Sequence, residues 1–156
     1  MDIELKINNL ASMAKPFKHE HGFYLLKDHE GWSNGFIADL VGHNIELIQS
    51  QAKTKSLKDL FRFTIEKENC PEIKKIIPEV NTQEDVIDIQ LDLEDKMAWL
   101  ISEHNRVKIN PTYLRYFVDN YKDSGYIFLK ISEFKKPITV YQKEALIGLI
   151  MPLLTR

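Results

Sequence analysis

Cysteine is nearly missing from this chain. Among 156 residues there is one, Cys70, so no internal disulfide can form, and a reactive thiol would need a histidine held beside it by the fold. An inert thiol is the plainer reading. Long apolar runs are missing too. The longest, residues 145–154, falls well short of the roughly 18 residues that a membrane-crossing helix needs, and Gly148 and Pro152 interrupt it. It predicts a buried strand. The opening Met1-Asp2-Ile3-Glu4-Leu5 has no basic stretch followed by an apolar one, so no membrane attachment or export is expected and a cytoplasmic setting fits. An excess of one charge is also missing, since 21 Lys and Arg stand against 23 Asp and Glu for a net charge of −2. That balance argues against coating nucleic acid by bulk charge and confines any such contact to a local patch.

The usual catalytic signatures are missing as well. There is no glycine-rich phosphate loop, no Gly-x-Ser-x-Gly elbow and no His-Glu-x-x-His helix. Of His19, His21, His29, His43 and His104, only His19-x-His21 beside Glu20 is tightly grouped, and that pair lacks the further ligands a zinc site needs at defined spacing. The acidic pairs Glu84-Asp85 and Glu94-Asp95 read as solvated turns, because nothing apolar nearby would raise a carboxyl pKa for acid–base work. A binding protein without cofactor or metal is therefore expected, not an enzyme.

What is present is an ordinary globular composition, 44% hydrophobic and 28% charged, at a length that fits one domain spanning residues 1–156. Ile3, Leu5 and Ile7 alternate with polar residues and predict a strand over 2–8, followed by a helix capped by Asn8 or Asn9 that carries Leu10, Met13, Ala14 and Phe17. Strands are then predicted near 23–26, 35–41 and 44–48, the last two joined by a Gly42-His43 hairpin turn. Ser56 can cap a helix bearing Leu57, Leu60, Phe61 and Ile65, and Pro71 and Pro78 bracket a short segment, so that 54–83 reads as a helical connector or insertion. Further strands are predicted over 86–91 and 97–101.

The opening is then echoed. Leu5-Lys-Ile-Asn at the start and Val107-Lys-Ile-Asn later share one pattern, and each is expected to lead into a helix. In the second copy Pro111 takes a first-turn place, the stripe Tyr113, Leu114, Phe117, Val118 and Tyr121 runs to Ser124-Gly125, and strands follow at 126–131, 138–141 and 146–150. The expectation is an α+β fold of duplicated β-α-β-β-β halves, about 1–53 and 84–156, with antiparallel sheets and helices on one face.

The run Val107-Lys-Ile-Asn-Pro-Thr-Tyr-Leu-Arg-Tyr-Phe-Val118, together with Gly125-Tyr-Ile-Phe-Leu-Lys-Ile-Ser132, Lys136-Pro-Ile-Thr-Val140 and Leu149-Ile-Met-Pro-Leu-Leu154, resembles the C-terminal domain of the bacterial DNA polymerase III β sliding clamp. The likeness covers about a third of the chain. Pro71-Glu-Ile-Lys-Lys-Ile-Ile-Pro78 also looks like that family's connector, although here it lies between the halves instead of between domains, and Leu153-Leu-Thr-Arg156 replaces the family's closing Arg-Leu.

The resemblance implies a role in DNA replication or repair. Partners would be replication or repair proteins carrying short hydrophobic clamp-binding motifs, together with double-stranded DNA and further copies of the chain in a homo-oligomer. The implied peptide pocket falls on Leu149, Ile150, Met151, Pro152 and Leu153, where a repacking Met thioether suits varied peptides; the same residues read equally as core strand. The implied DNA-facing cations are Lys15, Lys18, Arg115 and Lys122, which also read as an ordinary solvated helix face diluted by Glu20, Asp119 and Asp123. An adaptor or inhibitor of phage or mobile-element type, binding one protein partner without DNA, is the alternative. Trp32, Trp99, Tyr113, Tyr116 and Tyr121 could stack on single strands, but their spacing fits packing better, with Tyr116 off the stripe and expected to be exposed.

Overall fold

The structure, a computed structural model, describes residues 2–18, 23–26, 31–43, 64–65, 73–133 and 135–154. Helix α1 (Ile3–Met13) opens the chain where a strand was predicted. The alternation of Ile3, Leu5 and Ile7 was misleading, because Ile3, Ile7, Leu10 and Ala11 are also spaced for one helical face and that face is the one that packs. Leu5 is left half in solvent. Asp2 starts the helix by accepting a hydrogen bond from the Glu4 amide at 3.0 Å. It ends at Met13, with Ala14 already extended two residues before Pro16, whose ring has no place in a helix interior.

Strands β1 (Phe23–Leu25), β2 (Trp32–Ser33), β3 (Ile37–Asp39) and β4 (Thr64–Ile65) follow. Ile65 therefore belongs to a strand and cannot carry the helix predicted to run through it. The rest of 44–72, including the second arm of the Gly42-His43 hairpin, the remainder of the helix predicted after Ser56, and Cys70, lies outside the described residues. The proline-bracketed segment contains a short 3-10 turn, Ile73–Lys75, and another follows at Val80–Thr82.

The second half agrees with its reading more closely. It comprises β5 (Glu84–Asp85), β6 (Asp88–Asp92), β7 (Met97–Ile101), β8 (Arg106–Ile109), α2 (Pro111–Tyr121), β9 (Ile127–Ile131), β10 (Ile138–Gln142) and β11 (Ala145–Ile150). Asn110 caps α2 by accepting from the Thr112 amide at 3.0 Å, and Pro111 sits in the first turn. The chain then leaves through a 3-10 turn to Gly125, whose φ of +136° favours glycine. The repeat that suggested duplication thus divides: Leu5-Lys-Ile-Asn lies inside α1, whereas Val107-Lys-Ile is strand β8 and Asn110 is a cap.

The architecture is α+β. Among the described residues, eight strands form one sheet in the order β4-β1-β2-β3-β11-β10-β9-β5, and three form another in the order β6-β7-β8. Pairing is antiparallel except between β1 and β4. The chain's last stretch joins the sheets, since the Leu153 amide donates to the Lys108 carbonyl at 2.8 Å.

Helices α1 and α2 pack together, α1 also against β6 and β9, and α2 against β9 and β11. The main core forms there from Ile7, Trp32, Leu114, Phe117, Leu129 and Ile138 among others, all almost fully enclosed. Each such side chain stabilises the fold by about 1.5–3 kcal/mol. Gly148 on β11 lets the two layers close, for a Cβ there would stand 2.1 Å from the Phe117 ring. A smaller cluster holds Leu26, Ala38, Leu40, Ile73 and Leu149. No helix among the described residues is long and apolar enough to cross a membrane.

Candidate functional site

The terminal strand divides the residues expected to form a peptide pocket. Leu149 and Ile150 are buried, the first in the smaller cluster and the second in the main core, and Pro152 is buried behind them. Met151 is 36% exposed and Leu154 is 64% exposed, with Leu153 half-buried between them. The Met151 amide donates to the Phe36 carbonyl at 2.8 Å. Phe36 is itself 48% exposed, and its ring stacks on Tyr113 with centroids 6.1 Å apart and planes within 3°. What faces outward is therefore Met151 next to the Phe36–Tyr113 pair. Sequence reading missed Phe36 because its partners come from β11 and α2, far along the chain.

The four candidate cations are not equivalent. Lys15 and Lys18 are exposed and line a hollow of about 430 Å³ with Phe17, Asn34, Asn110 and Tyr113. Arg115 is already engaged: its Nε donates to Asp119 at 3.1 Å and its Nη1 to the Ala14 carbonyl at 2.6 Å, tying α2 to the end of α1. Lys122 follows the end of α2, about 10 Å further along the axis at 1.5 Å per residue. The structure groups Lys15 with Lys18 and leaves Lys122 apart. Trp99 carries the Arg106 guanidinium over its ring at 4.3 Å, which occupies one face that a base would use.

The metal hypothesis on His19 and His21 lies outside the described residues. Glu84, Glu103 and His104 do approach one another, with one ligand atom from each within 4.8 Å of the others. The arrangement reads as a brace for the β7–β8 turn. Glu84 accepts from the Ser102 hydroxyl at 2.6 Å, the His104 amide at 3.0 Å and Asn105 Nδ2 at 3.0 Å, and His104 Nδ1 lies 2.5 Å from its other oxygen. The Ser102 hydroxyl first, and His104 next, hold the Glu84 carboxyl down at about 2. The same contact with Glu84 raises the His104 imidazole.

No protein-family model, curated protein or solved structure matches this chain. Its function must therefore be argued from its own residues.

One buried polar centre went unnoticed in the sequence. Asp39 on β3 is fully enclosed and accepts four hydrogen bonds: Tyr116 hydroxyl at 2.5 Å, Tyr121 hydroxyl at 2.7 Å, Gly42 amide at 2.9 Å and Val41 amide at 3.1 Å. Tyr116, expected to be exposed, is only 4% exposed. Its position off the apolar stripe reflects a hydroxyl that needed an acceptor, which β3 supplies from across the core. Burial first, and the charge of Asp39 next, push both phenols far above their ordinary values. A phenol held neutral in this way anchors α2 to the sheet and is poorly placed for proton transfer. Among the described residues, the surface near the expected sites offers apolar side chains at the terminal strand and cations near the end of α1.

Proposed function

We propose that this chain is a non-enzymatic, sliding-clamp-like protein of two duplicated halves, acting in DNA replication or repair by capturing short apolar motifs of partner proteins at its terminal strand. The exposed Met151 beside the Phe36–Tyr113 stack carries this reading. A flexible thioether next to a rigid aromatic pair gives an apolar surface that repacks around varied side chains. The burial of Leu149, Ile150 and Pro152 narrows the contact surface to Met151, with Phe36 beside it, and the half-buried Leu153.

Calorimetry with a synthetic peptide bearing a short hydrophobic clamp-binding motif tests this. Met151→Ala should weaken binding about tenfold, the effect of losing roughly 1.4 kcal/mol of apolar contact, while leaving the urea midpoint unchanged. Equal affinity for the variant, or no binding by the native chain, would refute it.

The second reading is an adaptor or inhibitor that binds one protein without DNA, and the state of Arg115 favours it. With its guanidinium committed to Asp119 and the Ala14 carbonyl, the expected DNA-facing set loses one cation. Light scattering and retention on circular duplex DNA separate the two: a ring requires an oligomer, and an adaptor remains off DNA at physiological salt.

A further inference from the structure

A groove of about 560 Å³ runs between the C-terminal end of α1, the β6–β7 turn and the start of α2. Its floor is apolar, with Leu10 and Pro111 buried and Met97 half-buried. Its rim holds Met13 at 66% exposure, Leu91 at 45% and Leu93 at 86%. Single exposed apolar side chains are commonplace, but several gathered around one concavity mark a surface that another molecule covers.

The charges around the groove indicate what kind of molecule. Asp92 and Asp95 line it, but the Lys108 ammonium bridges both carboxylates. Lys15 and Lys96 line it too, and among the described residues no carboxylate pairs with either. Lys108 leaves the two carboxylates one negative charge between them, so with Lys15 and Lys96 the groups at the groove carry a net charge of +1, and the ammonium groups that lack a carboxylate partner are those of Lys15 and Lys96. Glu94, on the same turn, is exposed but outside the lining. An apolar floor with free cations at its margin complements bulky apolar side chains flanked by acids.

We propose that this groove binds a short segment of a partner protein in which Leu- or Phe-like side chains are flanked by Asp or Glu. The proposal does not depend on the terminal-strand reading, since the groove and Met151 share no lining residue. The test is selection of a random peptide library displayed on phage against the full chain, followed by fluorescence anisotropy of the enriched peptides. Enriched sequences should combine apolar residues with acids. Leu93→Ser and Met13→Ser, both at exposed positions where little core packing is lost, should each weaken binding about tenfold. Lys15→Glu should weaken it several-fold, added salt should do the same, and Met151→Ala should leave it unchanged. Basic enriched peptides, indifference to Leu93→Ser, or no enrichment at all would overturn the proposal. So would a concentration-dependent dimer abolished by Leu93→Ser, because the occupant would then be a second copy of the chain.

Discussion

Replacing Asp39 with Ala removes the acceptor of four hydrogen bonds from a fully enclosed position. The costs of the four donors differ. Val41 is exposed and Gly42 half-buried, so water can satisfy much of what their amides lose. The Tyr116 and Tyr121 hydroxyls are buried against the core, and a hydrogen bond to a charged acceptor contributes about 1.5–3 kcal/mol. Tyr116 keeps a weaker acceptor in the His43 carbonyl at 3.3 Å. The expected loss for Asp39→Ala is therefore about 3–5 kcal/mol, and Tyr121→Phe, which leaves Asp39 three donors, should cost about 1–3 kcal/mol. Urea unfolding followed by circular dichroism measures both. If Asp39→Ala costs no more than Tyr121→Phe, the network is not the anchor described. The alkaline limb gives a second reading of the same centre. Both phenols are raised in the folded state, so their contribution is complete below about pH 10, the unfolded value, and is lost as pH climbs above it. Tyr116→Phe should flatten that decline.

Gly148→Ala would press a methyl group into the Phe117 ring and the Ala38 carbonyl, the latter 2.8 Å away, and should destabilise by about 1–3 kcal/mol or more. Phe117→Leu in the same chain should recover part of the loss, so that urea midpoints of the double variant lie above the sum of the singles. At the β7–β8 turn, the depressed Glu84 carboxyl contributes stability above its ordinary 4.5 that is lost as pH falls toward about 2. Glu84→Gln should flatten the acid limb of unfolding across that window. The raised His104 works in the opposite direction, its contribution being present below 6.5 and lost at higher pH. An NMR titration should find the imidazole pKa lower in Glu84→Gln than in the native chain.

The second half was legible because its signals are local and mutually consistent. Asn110-Pro111 starts a helix by cap and ring geometry, Gly125 accommodates a positive φ, and strands β9, β10 and β11 alternate or run apolar between turn residues. The start was misread because seven residues satisfied two periodicities at once. Only the neighbours of Ile7 and Leu10 in the core decide between strand and helix. The terminal strand's likeness to a peptide pocket was visible as a motif, but which of its side chains face outward depends on the β3 and β10 strands that flank β11.

By itself the sequence determined the α+β class, the single cysteine's inability to crosslink, the near-neutral charge and the punctuation of the second half, all of which rest on composition or on residues a few positions apart. Only the tertiary structure decided that Tyr116 is buried, that Arg115 is committed, that Glu84 meets His104, and that α1, the β6–β7 turn and α2 enclose an apolar groove. Those contacts join residues separated by tens of positions. Burial and hydrogen bonding at such separations are set by how the layers pack, and no local pattern encodes that.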